Sequence, residues 1–114
     1  MKHILFICSE NRFRSPTAEK LFSGHPGIEV ASAGLNPDAV NPLSTDMLKW
    51  TDLVFVMEES HRHKLTQEFG ISLTSQQVVC LDIPDVFEYM NLVLIQLLQT
   101  KVSPFLAHLG EGTA

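Results

Sequence analysis

The stretch ICSENRFRSP, residues 7–16, sets Cys8 at the end of an apolar run and follows it with five residues, then Arg14, Ser15 and Pro16. A cysteine does chemistry as the thiolate, and backbone amides, a helix N-terminus or a nearby cation favour that form. A five-residue turn entering a helix aims successive N–H groups at one point, where the helix dipole adds about half a positive charge. Such a turn is a cradle for an anion. Arg14 adds a planar fork that fits two phosphoryl oxygens, and Ser15 adds a hydroxyl that can support the sulfur. The expected chemistry is attack by Cys8 on a phosphoryl group held by the turn Ser9, Glu10, Asn11, Arg12, Phe13 and Arg14. With no glycine and no Gly-Lys-Ser/Thr ending, the turn is not that of a nucleotide-binding loop.

A second candidate set lies in DIPDVF, residues 82–87. Asp82 and Asp85 have the chemistry of a general acid, and equally that of turn caps before a final helix. Cys80 falls inside a strand-like run and is expected to be inert packing. His61 and His63 are two apart, hence on different sides of a helix, which argues against a metal site. His3, His25 and His108 carry no signal. No cofactor and no metal is expected.

These residues need elements to position them. HILFIC (3–8), IEVA (28–31), LVFVM (53–57) and QVVCL (77–81) are short apolar runs, as strands buried on both faces should be. Helical patterns lie between them. Ser15 and Pro16 suit the N-cap and first turn of a helix ending near Gly24, and residues 44–50 predict a short second one. Met57, His61, Leu65 and Phe69 step by four toward a cap at Gly70. The last helix is expected from about Tyr89, with Leu94, Ile95, Leu98, Val102, Phe105 and Leu109 as its stripe and a kink or restart at Pro104. Alternation throughout predicts an α/β fold: three layers, α/β/α, around a small four-stranded parallel sheet. Ligands of such sheets bind beyond the carboxyl ends of the strands. Cys8 and the aspartates at 82 and 85 should therefore share one rim.

The 114 residues, 45% of them apolar, suffice for one core, expected over residues 1–110, with 111–114 as a frayed tail. A formal charge of −5 argues against nucleic acid or an anionic membrane as partner. Two cysteines 72 positions apart suit a reducing compartment, so a cytoplasmic location is expected. Nothing in the sequence fixes an oligomeric state.

Taken in order, Cys8-x5-Arg14-Ser15 after a strand, PTAE (16–19), SAG (32–34), DLVFVM (52–57) and DIPDVF resemble the low-molecular-weight protein tyrosine phosphatases, in a short, compact bacterial-type form. The resemblance touches most of residues 3–90. It implies phosphomonoester hydrolysis through a cysteinyl-phosphate, with Cys8 as nucleophile, Arg14 as phosphate clamp and Asp85 as general acid. Ser15 supports the thiolate and Asn11 stabilises the loop. The implied substrate is a phosphotyrosine protein or a small aryl phosphate. Two other functions fit the same loop: a phosphate- or phosphoprotein-binding module without turnover, and an arsenate reductase. The chain departs from the family at Glu10, where a glycine is usual, at Phe13, where many members carry a second cysteine, and at Val86, where the acid segment has proline. The stretch between SAG and DLVFVM is short, and no aromatic residue follows soon after Gly34.

Overall fold

The computed structural model describes residues 2–70 and 77–112, with 77 and 107–112 described as backbone only. Four strands, β1 (Lys2–Cys8), β2 (Ile28–Gly34), β3 (Leu53–Val56) and β4 (Gln77–Cys80), form one sheet in the order β2-β1-β3-β4. Every pairing is parallel. Helices α1 (Arg14–Phe22), α2 (Thr45–Trp50), α3 (Glu59–Phe69) and α4 (Leu92–Gly112) alternate with the strands and cover both faces. The expected three-layer α/β architecture is the one observed.

Each strand sends alternate residues to opposite faces, which produces two cores. Ile4, Phe6 and Cys8 of β1 join Phe55, with Ala18 and Phe22 of α1 and Leu94, Leu98, Val102 and Leu106 of α4. Leu5 and Ile7 face the other way, with Val54, Val56, Leu48 of α2 and Leu65 of α3. Phe6 stacks between Phe22 and Phe55 at centroid distances of 5.8 and 5.3 Å. The chain leaves β1 for β2 on one side and then crosses to β3 on the other. The switch therefore falls between the ends of β1 and β3, where parallel sheets open a crevice.

Several boundaries move. β2 runs on through SAG to Gly34, because every residue of β1 from Lys2 to Cys8 has a partner in it. The first helix begins at Arg14, so Ser15 lies inside its first turn and is not its N-cap. Ser44 does cap α2, accepting from the Met47 amide. α3 ends at Gly70 in right-handed geometry, so the glycine there serves no left-handed cap. The last helix starts at Leu92, with the Asn91 carboxamide accepting from the Val93 and Leu94 amides. It continues through Pro104 without restarting, and its buried row is Leu94, Leu98, Val102 and Leu106. Ile95 and Phe105 are only half-buried, and the side chain of Leu109 is outside those described. α4 also extends to Gly112, two residues into the expected tail, while 113–114 are outside the described residues. No helix among the described residues is long and apolar enough to cross a membrane.

Candidate active site

Cys8 closes β1 with its side chain buried, and the next residues form a tight loop into α1. The carbonyls of Cys8, Ser9 and Glu10 accept in turn from the amides of Leu35, Asn36 and Val40, at 2.9, 2.9 and 3.0 Å. Three consecutive carbonyls are thus engaged by residues 35–40, outside the loop. Asn11 has a left-handed backbone, φ 59°, a conformation asparagine tolerates better than most residues. Its amide donates to Cys8 Sγ at 3.2 Å, and its carboxamide donates to Ser15 Oγ at 2.9 Å. Ser15 Oγ accepts from Asn11, lies 2.9 Å from Cys8 Sγ in a hydrogen bond that either atom can donate, and also reaches the Ala33 carbonyl at 3.5 Å. The Asn11 amide and the Ser15 hydroxyl thus converge on one sulfur.

Glu10 stands where glycine is usual, yet it does not occupy the left-handed position; Asn11 does. Its carboxylate projects to the mouth, 58% exposed, and pairs with Arg12 Nε at 3.7 Å. The loop's closest approach is elsewhere. A Cβ on Gly34 would stand 2.5 Å from the Ala39 side chain and 2.7 Å from the Ser9 carbonyl, so only glycine lets the sheet edge come this near the loop.

Arg14 is 2% exposed and fully engaged on one side. Its Nη1 donates to Glu58 Oε1 and to the Ile83 carbonyl, both at 2.8 Å, which uses both hydrogens of that nitrogen. The Nε edge is left toward Asp85 Oδ1 at 3.7 Å. Cys8, Glu10, Arg12, Phe13, Arg14 and Asp85 line one small hollow. Asp82 is exposed and lies outside that lining; its backbone takes a left-handed turn, φ 55°, before the buried anchor Ile83. Ile83 donates its amide to the Met57 carbonyl at 2.8 Å, and Lys101 of α4 donates to the carbonyls of Leu81 and Asp82 at 2.8 and 3.3 Å. The loop after β4 is thereby tied down behind Asp85 while Pro84, Asp85 and Val86 stay exposed.

Two residues of the site escaped the sequence reading. Glu58 holds Arg14, and His61 reaches the loop, with its Nε2 2.9 Å from Ser9 Oγ and its Nδ1 3.2 Å from the Glu58 amide. Their three-residue spacing after a strand is that of an N-cap and the N3 position of a helix, which marks them as a unit. Cys80 ends β4 half-buried and belongs to the core on the α2/α3 face, opposite the one holding Cys8. Burial pushes its thiol up from the usual value, despite a backbone hydrogen bond that acts the other way. A larger cavity of about 550 Å³ adjoins the loop between Asn11, Glu19, Ser32, Val40 and Tyr89. There the Ser32 hydroxyl donates to the Glu19 carboxylate.

A parallel sheet with a cysteine-to-arginine loop at its switch point defines the fold of the low-molecular-weight protein tyrosine phosphatases, and the chain has that fold. It superposes on the YwlE arginine phosphatase of Geobacillus stearothermophilus with a TM-score of 0.78 at 20% identity, over 98% of this chain and 95% of that one. On the tyrosine phosphatase Wzb of Escherichia coli K30 the TM-score is 0.75 at 21% identity, over 91% and 95%. On the low-molecular-weight protein tyrosine phosphatase of Streptococcus pyogenes it is 0.76 at 15% identity, over 95% and 93%. In sequence the chain is 29% identical over 94 residues to a protein-arginine-phosphatase of Bacillus subtilis, a match covering 59% of this chain and 63% of that relative. No family model matches.

Proposed function

We propose that the chain is a phosphomonoester hydrolase, a cytoplasmic low-molecular-weight-type protein tyrosine phosphatase acting through a cysteinyl-phosphate. The observation that carries this reading is the convergence of the Asn11 amide and the Ser15 hydroxyl on Cys8 Sγ, in a hollow shared with Arg14 and Asp85. Cys8 attacks phosphorus in line, forming the S–P bond as the P–O bond to the leaving group breaks, and Asp85 gives that oxygen its proton. The loop amides and the free edge of Arg14 hold the equatorial oxygens through the transition state. Asp85 then takes a proton from water, whose oxygen displaces the sulfur and releases phosphate.

Phe13, 40% exposed in the lining of the hollow, offers an apolar wall to a substrate ring, which favours aryl phosphates. The carboxylates of Glu10 and Asp85 at the same mouth suit the guanidinium part of a phosphoguanidine as well, the substrate class for which the Bacillus relative is named. Parallel assays on phosphotyrosine and phosphoarginine peptides separate the two. An arsenate reductase relay is disfavoured because Cys80 lies across the sheet from Cys8. The deciding experiment is steady-state hydrolysis of p-nitrophenyl phosphate by wild type, Cys8→Ser and Arg14→Ala. Turnover by wild type alone is expected. Phosphate binding without turnover would make the chain a binding module, and turnover by Cys8→Ser would remove the nucleophile from the mechanism.

A further inference from the structure

His61 is 4% exposed and makes two directional contacts, and together these fix its tautomer. The Glu58 amide can only donate, so Nδ1 accepts from it, and the ring proton therefore sits on Nε2, aimed at Ser9 Oγ. The ring spans two parts of the site that sequence keeps far apart. On one side is Ser9, first residue of the loop after Cys8. On the other is the turn of Glu58, whose carboxylate holds Arg14 at 2.8 Å. We propose that neutral His61 is a positioning residue that locks the phosphate loop, through Ser9, in register with the Glu58–Arg14 pair, and that protonation of the ring releases that lock. A proton on Nδ1 would face the Glu58 N–H and abolish the acceptor on which the arrangement depends.

The charged groups facing the ring are Arg14 from α1, Glu58 before α3, Asp85 from the loop after β4 and Lys64 on α3 itself. Burial foremost, and then Arg14, hold the imidazole below its ordinary value, against the opposing pull of Glu58 and Asp85. The lock is therefore closed at neutral pH and opens in acid. This inference rests on the phosphatase reading for its kinetic arm but not for its binding arm.

His61→Gln separates positioning from helix capping. A glutamine at N3 keeps an acceptor for the N-cap amide, so α3 retains its start, but the same side chain cannot also reach Ser9. Expected are a urea midpoint close to wild type, a kcat for p-nitrophenyl phosphate lowered about tenfold, within the 10²-fold that a displacement of about 1 Å can cost, and weaker binding of inorganic phosphate by calorimetry. Ser9→Ala should reproduce both losses, Ser9→Thr should restore them, and the double variant His61→Gln/Ser9→Ala should be no worse than either single one. Wild-type kcat and phosphate affinity in His61→Gln, or additive losses in the double variant, would overturn the proposal. If wild type itself shows no turnover, the phosphatase reading fails alone, and phosphate affinity in the same four variants still decides the role of His61.

Discussion

Asp85 keeps its carboxylate 60% exposed while lying 3.7 Å from a guanidinium that is itself 2% exposed, so it can reach a bound group in the hollow while Arg14 stays fixed. Asp85→Asn is expected to slow aryl phosphate hydrolysis by roughly 10²–10⁴-fold, the range for a lost proton donor. Asp82→Asn should change it little, because Asp82 is not in the lining of the hollow. An inverted result in the same assay would move the acid three residues upstream. Glu10 invites a smaller expectation. Its pairing with Arg12 at the exposed mouth is worth about 0–1 kcal/mol, so Glu10→Gln should shift kcat/KM between acidic-flanked and basic-flanked phosphopeptides by less than about fivefold. Added salt should shrink even that. Cys8, Asn11, Arg14 and Ser15 were legible in the sequence because one short loop contains them all. Glu58 and His61 were not, since each acts on a residue 44 or 52 positions away and only the pairing of β1 with β3 brings them together.

Among the elements, β2 matters to the site through its last residue. Gly34→Ala would drive a methyl group into Ala39 and the Ser9 carbonyl, costing on the order of 1–3 kcal/mol as overpacking does, unless the loop shifts. Thermal melting should show the destabilisation, and kcat should fall with it because Ser9 and Asn11 are the atoms displaced. The four strands and their alternation with helices were readable from short apolar runs, but the order β2-β1-β3-β4 was not, and the reach of β2 to Gly34 depends on its register with β1, which a single strand does not encode. The passage of α4 through Pro104 is a different miss. Proline lacks the N–H that the helix interior uses and costs about 3 kcal/mol there relative to alanine, so the local signal favours a break. Tertiary packing overrides it: Leu94, Leu98, Val102 and Leu106 on one stripe fix the helix to the sheet on either side of the proline. Pro104 is exposed, and Pro104→Ala should stabilise the fold by on the order of 1–3 kcal/mol. At about 4–8 °C per kcal/mol for a chain of this size, the shift in Tm is easily read.

At the scale of the whole molecule, stability and site geometry are coupled through His61. Its folded-state value is lowered, so as pH falls below about 6.5 the unfolded chain takes up the proton first. The contribution of the neutral ring is complete above that pH and declines below it, until the folded form also protonates. Urea midpoints at pH 7.5 and 5.5 should fall further for wild type than for His61→Gln; equal falls would mean that the ring titrates alike in both states. The two cores on opposite faces of the sheet also separate the two cysteines, so Cys80→Ser is expected to leave turnover unchanged. The central claim is that the loop, Arg14 and Asp85 serve a covalent step at Cys8. Rapid mixing with p-nitrophenyl phosphate, followed by acid quench and mass analysis of the peptide containing Cys8, tests it most directly. The account predicts a burst of nitrophenol stoichiometric with enzyme and a phosphoryl group on Cys8 that builds up in Asp85→Asn when a good leaving group is used. Turnover with neither a burst nor a phosphorylated Cys8 in that variant would contradict it.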